Sequence, residues 1–229
     1  AAGKPGPILV FIHGGYWQEL SKEESAFAAS DCVQQGMAFA ALDYTLAPQA
    51  SVAEMVVECR MALAWLHQHA ATLGFDAKRI VVAGSSAGAH LAAMAALPDG
   101  GTVGATGSPR VVGNLLVKGL VLVSGIYELA PLLGTSINAS VGLTPSSARE
   151  ASPALQPLEG FPPSVICWGE IETAAFKQQS QLFARRIEQA GGRCQTFEVP
   201  ARNHFDVILD LADPTTALGR ATVALMRAI

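Results

Sequence analysis

The segment Gly84-Ser85-Ser86-Ala87-Gly88 constrains the fold more than any other part of the sequence. It stands between the apolar run 79–83, which indicates a buried strand, and a run to residue 97 that is rich in helix formers. A G-x-S-x-G motif between a strand and a helix is typical of a sharp turn that exposes the serine hydroxyl at its tip. Glycines at both ends let the strand and helix backbones approach closely. The pattern therefore predicts Ser86 as a nucleophile, with the amide of Ala87 directed at the same point.

A second turn follows the apolar run 8–13, which is typical of a parallel strand buried on both faces. The next residues are Gly14, Gly15 and Tyr16, and two glycines allow a turn whose amides point outward. Outward amides can form an oxyanion hole, which aims donors at the negative charge of a transition state. We predict the Gly15, Tyr16 and Ala87 amides as the donors, with Gly14 shaping the turn. A plain strand-to-loop turn is the alternative.

His204 is the predicted general base. It follows residues 194–199, which indicate a late strand, and the chain order serine, acid, histidine places the base after such a strand. A surface histidine is the alternative for His204. The other histidines have different predicted places: His13 braces the glycine turn, His67 and His69 lie in a long helix, and His90 is structural, one turn beyond Ser86.

The acid of such a triad should follow the strand predicted at 164–168, where Glu170 and Glu172 compete. Spacing alone leaves the two nearly even. Glu172 stands further out on the loop, before a helix predicted at 174–190, and could instead cap that helix. Glu170 could form a surface ion pair.

Composition excludes several classes of function. Of the 229 residues, 50% are apolar and 15% are charged, and the net charge is −4. Nucleic-acid binding would need clustered Lys and Arg, and the sequence has no such cluster. No apolar stretch reaches the roughly 18 to 20 residues of a membrane span, and no apolar leader precedes residue 8. We therefore expect a cytoplasmic enzyme acting on a small molecule, with neither nucleic acid nor a membrane as partner; a homodimer is compatible with this expectation.

The four cysteines, Cys32, Cys59, Cys167 and Cys194, are isolated and fit no metal or redox spacing. We interpret them as small buried hydrophobic residues in a reducing compartment. No metal and no cofactor are expected.

Strand and helix patterns alternate along the chain, which predicts an α/β fold, with a mostly parallel sheet and helices on both faces, in one domain over residues 1–229. A Pro-punctuated excursion at about 129–163 is expected to form a small cap, and residues 98–114 a surface loop. Strands are predicted at 8–13, 38–43, 79–83, 118–123, 164–168 and 193–199, and helices at 21–35, 52–73, 87–97, 174–190 and 215–227.

The sequence resembles the kynurenine formamidase (arylformamidase) branch of the α/β-hydrolase superfamily, close to the esterase and lipase branch. Six pieces carry the resemblance, and the His-Gly-Gly-x-Trp piece is the most specific. They are His13-Gly14-Gly15-Tyr16-Trp17, Asp43-Tyr44-Thr45-Leu46-Ala47-Pro48, Gly84-Ser85-Ser86-Ala87-Gly88, Ser124-Gly125-Ile126-Tyr127-Glu128-Leu129, Phe176-Lys177-Gln178-Gln179-Ser180 and Asn203-His204-Phe205-Asp206.

The resemblance implies that the acid lies four residues before Phe176, which selects Glu172 over Glu170. The family usually carries Asp at this position, and triads use either acid. The resemblance also implies a longer N-terminal part, with two more strands and part of the substrate pocket, where seven residues precede Ile8 here. Without those strands one sheet edge is expected to be open.

Together these features predict a serine hydrolase with a Ser86, Glu172 and His204 triad and an acyl-enzyme intermediate. The resemblance implies cleavage of N-formylkynurenine to kynurenine and formate, in tryptophan catabolism. A carboxylesterase for short acyl or aryl esters is the alternative, and a non-catalytic binding module is a third. Trp17, Tyr127 and Phe205 are the predicted aromatic walls for an aryl leaving group, with core packing as the alternative for each.

Overall fold

The computed structural model describes residues 5–98 and 116–229. In this part of the chain six parallel strands form one sheet, in the order β2-β1-β3-β4-β5-β6. The predicted parallel sheet is therefore confirmed. The strands are β1 (Gly6–Ile12), β2 (Ala38–Leu42), β3 (Phe75–Ser85), β4 (Val117–Val123), β5 (Ser164–Ile171) and β6 (Cys194–Asn203).

Helices cover both faces of the sheet, because side chains on both faces of the central strands are apolar. In β1, Leu9 packs into one hydrophobic cluster and Val10 into the other, and both are fully buried. Among the described residues the α-helices are α1 (Ala29–Gln34), α2 (Val52–Leu73), α3 (Ala87–Ala96), α4 (Asn138–Val141), α5 (Pro145–Glu150), α6 (Ala174–Gln189) and α7 (Ala217–Ala228). Residues of α2, α3 and α6 join one cluster, and residues of α1 and α7 join the other.

Helix α2 has the predicted bounds because both of its ends carry a strong local signal. Ser51 accepts a hydrogen bond from the Glu54 amide, and the Glu54 side chain accepts from the Ser51 amide, which is a capping box. Gly74 ends the helix in the left-handed conformation. Local signals therefore set both ends of this helix, while its buried face packs into the core.

The helix predicted at 21–35 is wrong as one element. The structure has a 3-10 turn at Glu23–Ser25, a break, and then α1. Glu24 accepts hydrogen bonds from the amide and hydroxyl of Ser21, which starts the first turn. Beyond it, the Phe27 ring packs edge-to-face on Phe11 at 5.2 Å between centroids. The helix is interrupted at Phe27, which packs against the sheet. The continuous helical pattern of the sequence does not predict this break.

The excursion between β4 and β5 contains short helices, as its Pro-punctuated sequence predicts. They are the 3-10 turn Ala130–Gly134, α4, α5 and the 3-10 turn Pro153–Leu155. The buried Ser152 hydroxyl binds the segment together, since it accepts from the Leu129 amide and donates to the Ala148 carbonyl. The loop predicted at 98–114 lies, apart from residue 98, outside the described residues.

Helix α3 lies directly on the sheet at two glycines. A Cβ built on Gly88 would stand 2.0 Å from the Ile12 carbonyl oxygen, and one on Gly84 would stand 2.3 Å from the Gly88 carbonyl carbon. Both neighbours are backbone and cannot rotate away. The strand, the turn and the helix can therefore meet only because neither position carries a side chain.

We predict that Gly88→Ala lowers the free energy of unfolding by about 3 kcal/mol, because a methyl group must push α3 off β1. Urea denaturation measures this change. Gly134→Ala is the matched control, since a Cβ there meets no atom within 4 Å. Equal stability of the two variants would show that α3 does not need this close approach.

Candidate active site

Ser86 stands at the tip of a strained turn between β3 and α3. Its φ of 55° and ψ of −119° are rare for a residue with a side chain. Backbone hydrogen bonds hold the strain in place: the Ser86 amide donates to Val123, and the Ser86 carbonyl accepts from the His90 amide. Ala87 opens α3, so its amide has no acceptor within the helix. The Ser86 side chain therefore stands at a sharp turn, beside a backbone amide at the start of α3.

The turn after β1 lies against the serine. Gly15, Tyr16 and Trp17 have φ of 87°, 48° and 63°, so three successive residues are left-handed. The Gly15 carbonyl accepts from the amides of residues 18 and 19, which closes the turn. A Cβ on Gly14 would stand 3.3 Å from the Ser86 Cβ. The turn that carries the predicted donors is therefore packed against Ser86.

A second layer of side chains supports this turn. The Tyr44 hydroxyl lies 3.2 Å from the His13 carbonyl oxygen and 3.0 Å from that of Gly14, within donating distance of both. The His13 ring stacks on Tyr44 at 4.3 Å, and its Nδ1 donates to the Gly14 carbonyl, which can only accept. Burial lowers the pKa of His13, so the ring is favoured in its neutral form. The structure gives His13 the contacts of a brace.

Glu172 and His204 form a close pair. His204 Nδ1 lies 3.0 Å from Glu172 Oε2, and the carboxylate is fully buried. The other carboxylate oxygen, Oε1, accepts from the Ser124 hydroxyl and the Gly169 amide. Burial alone would raise the pKa of Glu172, but hydrogen bonds from His204, Ser124 and Gly169 outweigh it and hold the pKa below its usual value. The imidazole meets the carboxylate through Nδ1, so Nε2 is the ring nitrogen that can bind another partner.

Glu170 points elsewhere, so the structure separates the two candidate acids. Its carboxylate accepts from the Ala201 amide at 2.8 Å, on the neighbouring strand β6. Capping of α6 does not account for Glu172 either, because its carboxylate accepts from Gly169, before the helix. The structure brings Glu172, and not Glu170, to His204.

One cavity of about 1030 Å³ joins these parts. Ser86, Glu172, His204, Gly14, Gly15 and Tyr16 all line it. Much of its remaining wall is apolar, and two residues of the excursion after β4, Ser136 and Ile137, line it. The apolar wall residues are Phe11, Leu20, Phe27, Ile137, Ile171, Phe176, Phe205, Ile208 and Leu209.

The three predicted aromatic walls have different places. Phe205 lines the cavity and is 84% exposed at its rim. Trp17 and Tyr127 do not line it, and that part of the prediction is wrong: both are fully buried. Tyr127 stacks on Phe183 at 4.3 Å, and Trp17 lies edge-to-face on His90 at 5.1 Å. Trp17 and Tyr127 are therefore core residues, which was the alternative for both.

Sequence reasoning missed Ser124 and Phe176. Ser124 follows the last residue of β4 and is fully buried beneath Glu172. Phe176 lies on the His204 ring at 4.1 Å between centroids. A weak signal existed for Ser124, since a polar residue at the carboxyl end of a buried parallel strand stands on the edge where such sites form. Nothing local distinguishes Phe176 from a core residue.

Within residues 5–98 and 116–229, no group of three or more His, Cys, Asp or Glu side chains is placed to hold a metal ion. Cys32, Cys59 and Cys167 are buried free thiols, as predicted, whereas Cys194 is partly exposed. Burial raises the pKa of Cys59 to about 12, which keeps it an inert thiol. None of the described helices is both long and apolar enough to span a bilayer.

Comparison with known proteins agrees with this geometry. The BD-FAE family model matches residues 1–187. A kynurenine formamidase of Salmo salar is 34% identical over 213 residues, which cover 90% of this chain and 68% of that protein. One from Danio rerio is 33% identical over 212 residues, with the same two shares. The thermostable carboxylesterase EstE1 from a metagenomic library superposes with a TM-score of 0.77 at 25% identity, covering 99% of this chain and 80% of that one.

The parallel sheet, the serine turn and these relatives define an α/β-hydrolase of the formamidase and esterase class. Within that class, the chain belongs to the BD-FAE family.

We predict that Ser124→Ala raises the pKa of Glu172 and lowers the free energy of unfolding by about 1.5 to 3 kcal/mol, because a buried carboxylate loses a donor. The folded-state pKa of Glu172 is depressed, so its stabilisation is present above the unfolded-state pKa and is lost as the pH falls through the folded-state pKa. In the variant the folded-state pKa lies closer to the unfolded-state value, so the stability lost on acidification is smaller and the loss is complete at a higher pH, which denaturation at several pH values measures.

Ser146→Ala is the control for this prediction, since Ser146 donates to Glu150 in a similar but exposed pair. Stability curves that coincide for wild type and Ser124→Ala would show that Ser124 does not support the carboxylate.

Proposed function

We propose that Ser86, Glu172 and His204 form a catalytic triad that hydrolyses an acyl carbonyl through an acyl-enzyme. The observation that carries this proposal is the 3.0 Å pairing of His204 Nδ1 with the buried Glu172 carboxylate, in the cavity that Ser86 lines. The carboxylate fixes the imidazole tautomer and stabilises its charged form, so that Nε2 can act as the base.

The reaction takes two steps. Ser86 Oγ attacks the carbonyl carbon as His204 Nε2 takes the hydroxyl proton. The amides of Gly15, Tyr16 and Ala87 stabilise the oxyanion, and one such donor is worth about 10² to 10³ in turnover. The bond to the leaving group breaks as His204 returns the proton to the departing nitrogen or oxygen. Water then attacks the acyl-enzyme, again through His204, and the acid departs while Ser86 regains its proton.

The first candidate activity is the cleavage of an arylformamide such as N-formylkynurenine. Two relatives that are 33% and 34% identical are kynurenine formamidases, and this chain spans 68% of each. A formyl group needs little room at the serine, while an aryl leaving group suits aromatic walls. Phe27, Phe176 and Phe205 supply such walls in the cavity.

The second candidate is a carboxylesterase for acyl or aryl esters, and the size of the cavity favours it. A volume of about 1030 Å³ lies at the upper end for small-molecule sites and exceeds what a formyl group requires. The superposable EstE1 is a carboxylesterase. A non-catalytic module, the third hypothesis, is disfavoured because the Glu172 and His204 pair is intact.

We also propose how the chain is organised and in which cellular compartment it works. We propose a single domain, with the excursion after β4 as a small cap that supplies Ile137 to the cavity. The net charge of −4 gives no attraction to nucleic acid, and the free thiols suit a reducing cytoplasm. Sedimentation measures the mass of the enzyme in solution and so tests for a homodimer.

Ser86→Ala is expected to lower ester turnover by at least about 10³, because no other group can form the acyl-enzyme. The melting temperature should be nearly unchanged, and an organophosphate should label the wild type but not the variant. Ser146→Ala, at an exposed serine that does not line the cavity, is the control and should remain active. Turnover that survives in Ser86→Ala would reassign the nucleophile.

Two substrates separate the candidate activities. If the enzyme is an arylformamidase, its kcat/KM for N-formylkynurenine should exceed that for p-nitrophenyl acetate, although esters are intrinsically the easier substrates. The opposite order, with p-nitrophenyl butyrate also cleaved well, would favour the carboxylesterase. Rates are compared at one enzyme concentration and one pH, with Ser86→Ala as the blank.

A further inference from the structure

His90 is a fully buried polar residue for which the proposed mechanism has no use. It lies on α3 one turn after the nucleophile, and its own amide donates to the Ser86 carbonyl at 3.2 Å. Its Nε2 lies 2.6 Å from the Ala151 carbonyl oxygen. A carbonyl can only accept, so Nε2 carries the hydrogen and Nδ1 is unprotonated. One side chain thus connects the nucleophile helix to the excursion after β4.

The other side of the ring meets the turn that carries the predicted oxyanion donors. The Trp17 indole lies edge-to-face on His90, with ring centroids 5.1 Å apart and planes at 89°. Trp17 directly follows Tyr16, and both residues are left-handed. The Trp17 carbonyl accepts from the Ala47 amide, which anchors the turn from its far side. The imidazole is therefore in contact with two loops as well as being part of α3.

Packing alone does not explain a histidine in this place. Burial lowers the pKa of His90 to about 4, so the ring is neutral. Its Nδ1 is buried without a hydrogen-bond partner, as is the indole Nε1 of Trp17. A phenyl ring would fill a similar volume against Trp17 without the cost of burying an unpaired nitrogen. What the imidazole adds is the hydrogen bond to Ala151.

We propose that His90 is a positioning residue, which holds the Trp17 turn and the Ala151 segment in register with Ser86. This inference rests on the proposed function, because it assigns the oxyanion donors to the turn before Trp17. His90 acts through its neighbours and does not touch the substrate: it is absent from the lining of the described cavity. Its loss should therefore lower kcat more than it raises KM.

The test replaces the imidazole with a ring that cannot donate. His90→Phe keeps an aromatic ring beside Trp17 but removes the bond to Ala151. We expect kcat for p-nitrophenyl acetate to fall about tenfold or more, KM to change less than about threefold, and organophosphate labelling of Ser86 to slow in parallel. His90→Gln, whose amide nitrogen can donate to Ala151, should recover most of kcat.

A stability control separates positioning from packing. Leu63→Ala removes a fully buried side chain of α2, away from the cavity, and should cost about 2 to 5 kcal/mol of stability while leaving kcat at 25 °C unchanged. If His90→Phe folds poorly, Ser152→Ala loosens the segment that carries Ala151 without touching the imidazole, and it should lower kcat in the same direction.

Unchanged kcat in folded His90→Phe, or failure of His90→Gln to recover activity lost in His90→Phe, would overturn the inference and leave His90 as a packing residue. Either result leaves the proposed function standing, provided that Ser86→Ala is inactive. Activity that persists in Ser86→Ala would instead reject the proposed function itself, whatever the His90 variants do.

Discussion

The close approach of α3 to the sheet is the constraint on which the rest of the site depends. Gly84 and Gly88 remove the side chains that would hold the helix away from β1 and β3. At this contact Ser86 has a positive φ, and the carbonyl of Val123 on the adjacent strand accepts a hydrogen bond from its amide. The strain is local, whereas the contacts that sustain it extend over three neighbouring strands. A serine at a sharp, strained turn is thus sustained by backbone packing.

The carboxyl ends of the parallel strands also stabilise the buried charge of Glu172. A buried carboxylate is costly unless donors surround it, and Glu172 has three: His204, Ser124 and Gly169. Each comes from the end of a different strand or from the loop after it, because parallel strands bring their carboxyl ends to one edge. His204 is therefore held by an anion that the sheet itself stabilises.

Local signals predicted those elements whose bounds are set by local hydrogen bonds. Helix α2 has its predicted bounds because Ser51 and Glu54 form a capping box and Gly74 ends it. The helix predicted at 21–35 is interrupted where Phe27 packs on Phe11, a contact between distant parts of the chain that the local pattern does not contain. Trp17 and Tyr127 failed as cavity walls for the same reason, since burial depends on neighbours that no window of sequence contains.

The sequence by itself determined the alternating parallel fold, the serine turn and the order of the three candidate catalytic residues, because glycine spacing, apolar runs and chain order are local properties. Spacing alone left the two acids nearly even and the family resemblance selected Glu172, whereas the tertiary structure shows how the two carboxylates differ. Glu170 lies in β5 and Glu172 follows that strand, and the structure shows that one carboxylate accepts from the Ala201 amide while the other pairs with the His204 imidazole. It also decided that Ser124 supports the acid and that His90 joins α3 to Ala151. These contacts span tens of residues, so they exist only once the sheet has assembled.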